Sequence, residues 1–255
     1  MHYLSNMFRS ALAILSLFLA SCTAETSVVF QDPVLPPPGG IPNIFKSYSD
    51  KQDSVMMPGW ARNFDMSGVS FNQKMTATLV TRKHIVMAGH YLRKPGDKVI
   101  FHDRHGKRLE RTLVKTKRLK YDVGVGLLDR DVPATHRIYP LPKTRQDFSN
   151  IVGRTAAVTD QNRRIFFHEI SRVNQFTTGF QHPKPILHGH SKKLVSGDSG
   201  NPSFLISGNE LVLIETHTFG GSGSGPFYGG TVIQKNLQAA ITEMAPGYLL
   251  KFKAL

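Results

Sequence analysis

The sequence holds a single cysteine, Cys22, in 255 residues, so no disulfide can form within the chain. Stability must come from packing, and 40% hydrophobic residues over this length can build a sizeable core. Acidic residues are scarce: 18 Asp and Glu face 32 Lys and Arg, a formal net charge of +14. No internal sequence repeat is visible. The main apolar run, Ala11 to Ala20, is too short to cross a bilayer as a helix. Helical periodicity is missing until the end. There Leu237, Ile241 and Met244 share one face, and Pro246-Gly247 stops the helix.

What replaces helices is a series of short strands with turn punctuation. Candidate strands span 75–81, 97–102, 108–116, 123–129, 151–159, 164–173, 203–207, 209–217 and 227–233. Asp103-Arg104-His105-Gly106 and Ser207-Gly208-Asn209-Glu210 read as turns. Many strands with one terminal helix point to an all-β barrel or sandwich.

The most informative stretch is Ser196-Gly197-Asp198-Ser199-Gly200-Asn201-Pro202-Ser203-Phe204. Small residues around Ser199 let a substrate carbonyl reach the backbone, and Gly197 can take backbone angles closed to other residues. In such a loop the N–H groups of Gly197 and Ser199 can converge on one spot and stabilise an oxyanion. The competing reading is a polar Gly/Ser turn between strands. Two further stretches decide between them. Thr76 to Thr81 followed by Lys83 to His90 reads as a β-hairpin ending on a histidine in a small-residue turn. Tyr121-Asp122-Val123-Gly124-Val125-Gly126 puts an aspartate at the mouth of an apolar strand. A serine hydroxyl needs a base, histidine supplies one, and a buried carboxylate orients it. His90, Asp122 and Ser199 can fill these roles. Among eleven histidines, His84 reads as a hairpin residue, while His102 and His105 read as solvated turn residues. Asp97 and Asp103 flank a strand in polar surroundings, and Asp129 follows an apolar run instead of opening it.

The ordered motifs Ala88-Gly89-His90, Asp122 and Gly197-Asp198-Ser199-Gly200-Asn201-Pro202 resemble the trypsin/chymotrypsin-like serine peptidases, over roughly residues 50 to 245. Gly89 stands where that family usually has a second alanine, and Asn201 where it usually has glycine; neither removes a catalytic group. Asn201 also breaks the Gly-x-Ser-x-Gly elbow of the α/β-hydrolases, whose chain order would be Ser, Asp, His. The resemblance implies two antiparallel six-stranded β-barrels with a C-terminal helix. The N-terminal barrel would cover about 51–136 and the C-terminal barrel about 137–255 of a domain at 51–255. It also implies endopeptidase chemistry without a cofactor, on protein or peptide substrates. The alternatives are an inactive relative acting as an envelope binding module, and a serine esterase on the same site. Asp198 would shape the oxyanion loop. In animal members that aspartate pairs with a new N-terminus, for which no cleavage site is evident here; Ile151-Val152-Gly153 resembles the matching motif but lies deep in the domain. The residue six before the serine, Lys193, would lie near the base of the specificity pocket and oppose basic substrates. His217, in Ile214-Glu215-Thr216-His217-Thr218-Phe219-Gly220-Gly221, matches a substrate-binding histidine of the glutamyl endopeptidase branch. A small apolar pocket with Lys193 turned to solvent is the other reading.

Residues 1–22 read as a signal peptide: Arg9 precedes the apolar run, and Leu19-Ala20-Ser21-Cys22 resembles a bacterial lipobox with Cys22 as the lipidated residue. An ordinary signal peptide with an incidental cysteine is the alternative. Residues 23–50, with Pro33, Pro36, Pro37, Pro38 and Pro42, read as a semi-rigid tether. Together these place an exported bacterial protein on a membrane through a lipid anchor, facing the periplasm or cell exterior. His182 and the pair His188-Gly189-His190 could bind a metal, but the surrounding Pro183, Pro185 and Gly189 favour an exposed loop and no metal site. From Arg82 to Lys120 there are thirteen Lys/Arg against three Asp/Glu. That charge reads as a solvated face or as attraction to anionic surfaces, and no nucleic-acid-binding motif accompanies it.

Overall fold

The computed structural model describes residues 37, 39–72, 75–144, 148–208 and 210–255. Residues 1–22, read as a signal peptide ending on Cys22, lie outside the described residues, as does the expected tether up to residue 36; its end does not stay a spacer, because Ile44 and Phe45 are buried in the core. The architecture is all-β: two six-stranded antiparallel sheets, one a nearly closed barrel and the other a half-barrel, with one C-terminal helix.

A short hairpin of β1 (Phe45–Ser47) and β2 (Val55–Met56) precedes the first sheet. That sheet contains β3 (Val69–Ser70), β4 (Ala77–Leu79), β5 (His84–Ala88), β6 (Lys98–His102), β7 (Arg108–Arg118) and β8 (Val123–Leu128), in the order β3-β4-β5-β8-β7-β6. After β9 (Leu141–Pro142), the second sheet is built from β10 (Thr155–Thr159), β11 (Ile165–Val173), β12 (Thr177–Gln181), β13 (Pro202–Ser207), β14 (Glu210–Thr216) and β15 (Ser224–Pro226). Its order is β14-β13-β10-β11-β12-β15. The helix α1 (Thr231–Met244) follows, and β16 (Phe252–Lys253) pairs in parallel with β9.

Strands β5, β8, β10 and β14 are buried on both faces, and their two-residue period sorts side chains into separate cores. Ile85 and Met87 of β5 join Leu79, Phe101 and Leu113 inside the first sheet. Val86, between them, points the other way, into a core it shares with Ala157, Phe167 and Phe204 of the second sheet and Leu237 and Ile241 of α1. Ala156 and Val158 of β10 complete the pattern inside the second sheet with Ile170, Leu205 and Ile214. Val80 and Val86 from one sheet and Phe204 and Leu213 from the other therefore belong to one core.

Two sequence expectations change. The segment 227–233 is not a strand: Phe227 and Tyr228 are buried, and helix α1 begins at Thr231. A Cβ at Gly230 would overlap the Gln175 carbonyl, so glycine is required where the chain enters the helix. Strands β3, β12 and β15 fall outside the segments that read as strands; β12 opens Thr-Thr-Gly without clear alternation. Two arginines of the basic run are structural rather than solvated. Arg93 is 1% exposed and donates to the Met75 carbonyl (2.6 Å) and Asn72 Oδ1 (2.9 Å). Burial lowers its guanidinium to about 10. Arg111 is buried and donates to the Asp131 carbonyl.

Candidate active site

Strand register creates the site. Ala88, at the end of β5, pairs with Val123, at the start of β8, so the residues just beyond these ends face each other. Gly89 N–H donates to the Asp122 carbonyl at 2.7 Å. The chain then makes a tight 3-10 turn over Gly89–Tyr91 that presents His90. A Cβ on Gly89 would lie 3.0 Å from the Asp122 carbonyl carbon and 3.1 Å from its Oδ1. This contact accounts for glycine at that position. On the other sheet, Pro202 pairs with Thr216, which brings the residues before β13 against those after β14. Gly200 N–H donates to the His217 carbonyl (2.9 Å), and His217 N–H to the Asn201 carbonyl (3.0 Å).

These two edges meet. Asp122 Oδ2 lies 2.6 Å from His90 Nδ1, and Oδ1 accepts the His90 backbone N–H at 2.7 Å. His90 Nε2 lies 3.0 Å from Ser199 Oγ. The Thr218 hydroxyl donates to Asp122 Oδ2 at 2.9 Å. The carboxylate fixes both the position and the tautomer of the imidazole: with Nδ1 protonated toward Asp122, Nε2 is left as an acceptor for the serine proton. Asp122 and its neighbour Tyr121 both sit in the left-handed backbone region, φ 60° and 61°. Such a conformation costs on the order of 1–2 kcal/mol for a residue other than glycine. The Tyr121 ring stacks on Phe176 of the β11–β12 turn, ring centroids 4.9 Å apart.

The loop before Ser199 is fixed from several sides. Gly197 has φ +96°, and a Cβ there would overlap the Gln161 side-chain amide. Gln161 Nε2 donates to the Ser196 carbonyl at 3.0 Å. Asp198 N–H closes the loop on the Val195 carbonyl (3.0 Å). Among the described residues, no acceptor is bonded to the N–H groups of Gly197 or Ser199. They remain available to an oxyanion. Asn201, the departure from the usual glycine, is fully buried; its Nδ2 donates to the Asp198 carbonyl (3.1 Å) and its Oδ1 accepts the Thr76 hydroxyl (3.1 Å). It ties the serine loop to the first sheet.

An open cleft of about 330 Å³ adjoins Ser199, lined by Leu194, Val195, Ser196, His217 and Phe219 among others. Val195 is 50% and Phe219 67% exposed. His217 is buried in the cleft wall, 2.6 Å from Glu215 Oε1 but off the line of a hydrogen bond. Glu215 Oε1 accepts the Ser203 hydroxyl at 2.5 Å. Lys193 does not line the cleft; it is exposed. Leu194 exchanges two backbone hydrogen bonds with Gly221 (2.7 and 3.0 Å), and this bridge turns Leu194 inward and its neighbour out. The expected repulsion of basic substrates by Lys193 therefore has no structural basis.

The competing candidates have local duties. His84 Nδ1 bonds the Thr81 hydroxyl at 2.8 Å within the hairpin. His102 is buried, not solvated, with Nε2 3.0 Å from Ser54 Oγ; His105 is exposed. Asp97, Asp103 and Asp129 accept backbone N–H groups of nearby turns and strands. His190 is buried against Trp60, ring centroids 5.7 Å apart, whereas His182 and His188 are exposed. Among the described residues, no group of three or more His, Asp, Glu or Cys is arranged to hold a metal. Ile151 is fully buried, in the core of the second sheet.

Thr218, Gln161 and the Asn201–Thr76 link were not found as site residues from sequence. Their partners lie far along the chain, and no local pattern marks a hydroxyl or amide for such use. A scan against protein-family models finds no match for this chain, and a search of curated proteins finds none either. The functional reading therefore rests on the residues and their geometry.

Proposed function

We propose that this protein is a serine endopeptidase. The observation that carries the reading is the continuous line from Asp122 through His90 to Ser199, with hydrogen-bonding distances of 2.6 and 3.0 Å. In the proposed reaction, Ser199 Oγ forms a bond to the peptide carbonyl carbon as its proton passes to His90 Nε2. The N–H groups of Gly197 and Ser199 receive the carbonyl oxygen as it becomes an oxyanion. Collapse breaks the C–N bond, and His90 returns the proton to the departing amine, leaving an acyl-serine. Water, deprotonated by His90, then releases the acid and restores the serine. Asp122 orients the imidazole throughout and balances its transient positive charge.

The exposed apolar side chains of Val195 and Phe219 beside Ser199 suit an extended peptide. The side chain before the scissile bond would enter the cleft between Leu194, His217 and Phe219. His217 Nε2, buried without a hydrogen-bond partner among the described residues, favours a substrate group that can bond to it, an acidic or amide side chain over a purely apolar one. A cleavage-site profile on a peptide library tests both proposals, with Ser199→Ala as control. Ser199→Ala should lose on the order of 10⁴-fold or more in kcat. Wild-type activity in that variant would overturn the assignment. We further infer from residues 1–22 that the chain is exported and lipidated at Cys22; a mature N-terminus that is unmodified, or that starts elsewhere by mass spectrometry, rules this out.

A further inference from the structure

Beside Ser199 lies a cluster of charges that the reaction itself does not use. Asp198 and Asp160 have side chains 2% and 0% exposed. Lys192 reaches both: its Nζ lies 2.7 Å from Asp160 Oδ2 and 3.1 Å from Asp198 Oδ2. Asp160 has a second cation, Arg164, whose Nε and terminal nitrogen lie 3.0 and 2.7 Å from Oδ2. Asp198 has no other cation among the described residues. Its remaining partners are the backbone N–H groups of Val195 (2.9 Å) and Gln161 (3.1 Å). Two buried carboxylates are thus balanced by two cations, and only Lys192 serves Asp198. A buried charge without a partner is strongly unfavourable.

The geometry links this balance to the oxyanion loop. With its side chain drawn inward to Lys192, Val195 N–H and Gln161 N–H, Asp198 has its own backbone bonded to the Val195 carbonyl. The flanking N–H groups of Gly197 and Ser199 are then left unbonded. If Asp198 swung out to find solvent, Ser199 would turn with it.

We propose that Lys192 is the positioning residue of the oxyanion loop, an internal cation that holds Asp198 in place so that the site assembles in the uncut chain. This rests on the peptidase reading. No new chain terminus is needed to neutralise Asp198, because the ammonium comes from six residues earlier in the same chain.

The test compares wild type, Lys192→Met and Lys192→Arg as full chains, reading kcat and KM on a peptide substrate, phosphonate labelling of Ser199 and thermal melting. Lys192→Met should lower kcat by about 10²-fold, near the value of one lost oxyanion donor, with KM changed less than about threefold. Labelling should slow in parallel. Lys192→Arg, which keeps the charge, should stay within about tenfold of wild type. The labelled wild-type chain should have an intact mass that leaves residues 39–255 uncut. Unchanged kcat in Lys192→Met, or an arginine variant as impaired as the methionine one, overturns the proposal while leaving the peptidase reading standing. So does a labelled wild-type species that requires a cut within those residues, a measurement that holds even if Lys192→Met fails to fold. A wild type that neither cleaves nor labels overturns both.

Discussion

Replacing Asp122 by asparagine is a sharp test of the site, because the carboxylate accepts hydrogen bonds on both oxygens. Oδ1 takes the His90 backbone N–H at 2.7 Å, and Oδ2 faces the His90 ring nitrogen at 2.6 Å. An amide has only one oxygen. If its NH₂ faces the ring, Nδ1 must accept, the ring proton moves to Nε2, and Ser199 loses its base. If the amide is turned round, NH₂ meets the backbone N–H and a donor faces a donor. Losing that charge-assisted bond and setting two donors face to face costs about 1–3 kcal/mol. Only this second arrangement keeps the productive tautomer, so its population falls by about ten- to a hundredfold. Losing the carboxylate charge opposite the transient imidazolium removes a further ~1.5–3 kcal/mol. Together these predict a kcat lowered by about 10²- to 10⁴-fold. Thermal stability should change little, because asparagine is at ease in the left-handed conformation that residue 122 adopts (φ 60°). The assay is initial-rate peptide hydrolysis beside a melting curve. A variant within tenfold of wild type would refute the reasoning that Asp122 sets the tautomer.

Gly89→Ala should lower activity by about tenfold or more with the fold retained, since the added Cβ would press on the Asp122 carbonyl carbon and Oδ1 from 3.0 and 3.1 Å; full activity in steady-state assays would show that Asp122 yields freely. Acid should destabilise the fold. His84, His136 and His168 are buried, and loss of hydration lowers each to about 4. In the unfolded chain they bind protons near pH 6.5, so the unfolded state holds more protons between about pH 6.5 and 4. Their contribution is complete above about 6.5 and is lost as pH falls toward 4, with a slope of up to ~1.4 kcal/mol per pH unit for each ring. Urea midpoints at pH 7, 5.5 and 4.5 measure it, and a flat series would contradict neutral burial.

Legibility from sequence followed the range over which each feature is determined. His90, Asp122 and Ser199 stand at strand ends marked by small residues and sharp changes of hydropathy, and such marks are local. The strands β5, β7, β8 and β11 were legible for the same reason. What could not be read were contacts joining distant positions. Thr218 meets Asp122 from 96 residues away, and Thr76 meets Asn201 across 125. Asp160 follows one candidate strand and precedes another, with nothing local to mark it; only folding brings it to Lys192. Of the two readings of the pocket, the one with Lys193 turned to solvent matches the structure. Counting back from Ser199 selected Lys193, but the bridge between Leu194 and Gly221 decides which side chain turns inward. The helix start was misread because Val232 and Ile233 are β-branched, and their strand preference yields to the packing of Ile233 and Leu237 in the shared core.

The division of the three residues between two sheets has a mechanical consequence. His90 and Asp122 ride on the first sheet and Ser199 on the second, with Asn201 and Thr218 reaching across. A shift of one sheet against the other by about one ångström along the line from Ser199 Oγ to His90 Nε2 would leave every strand ladder intact, yet would pull the serine oxygen out of hydrogen-bonding reach of the imidazole. The site thus works like a vernier, registering small displacements of one sheet against the other that neither sheet would show by itself.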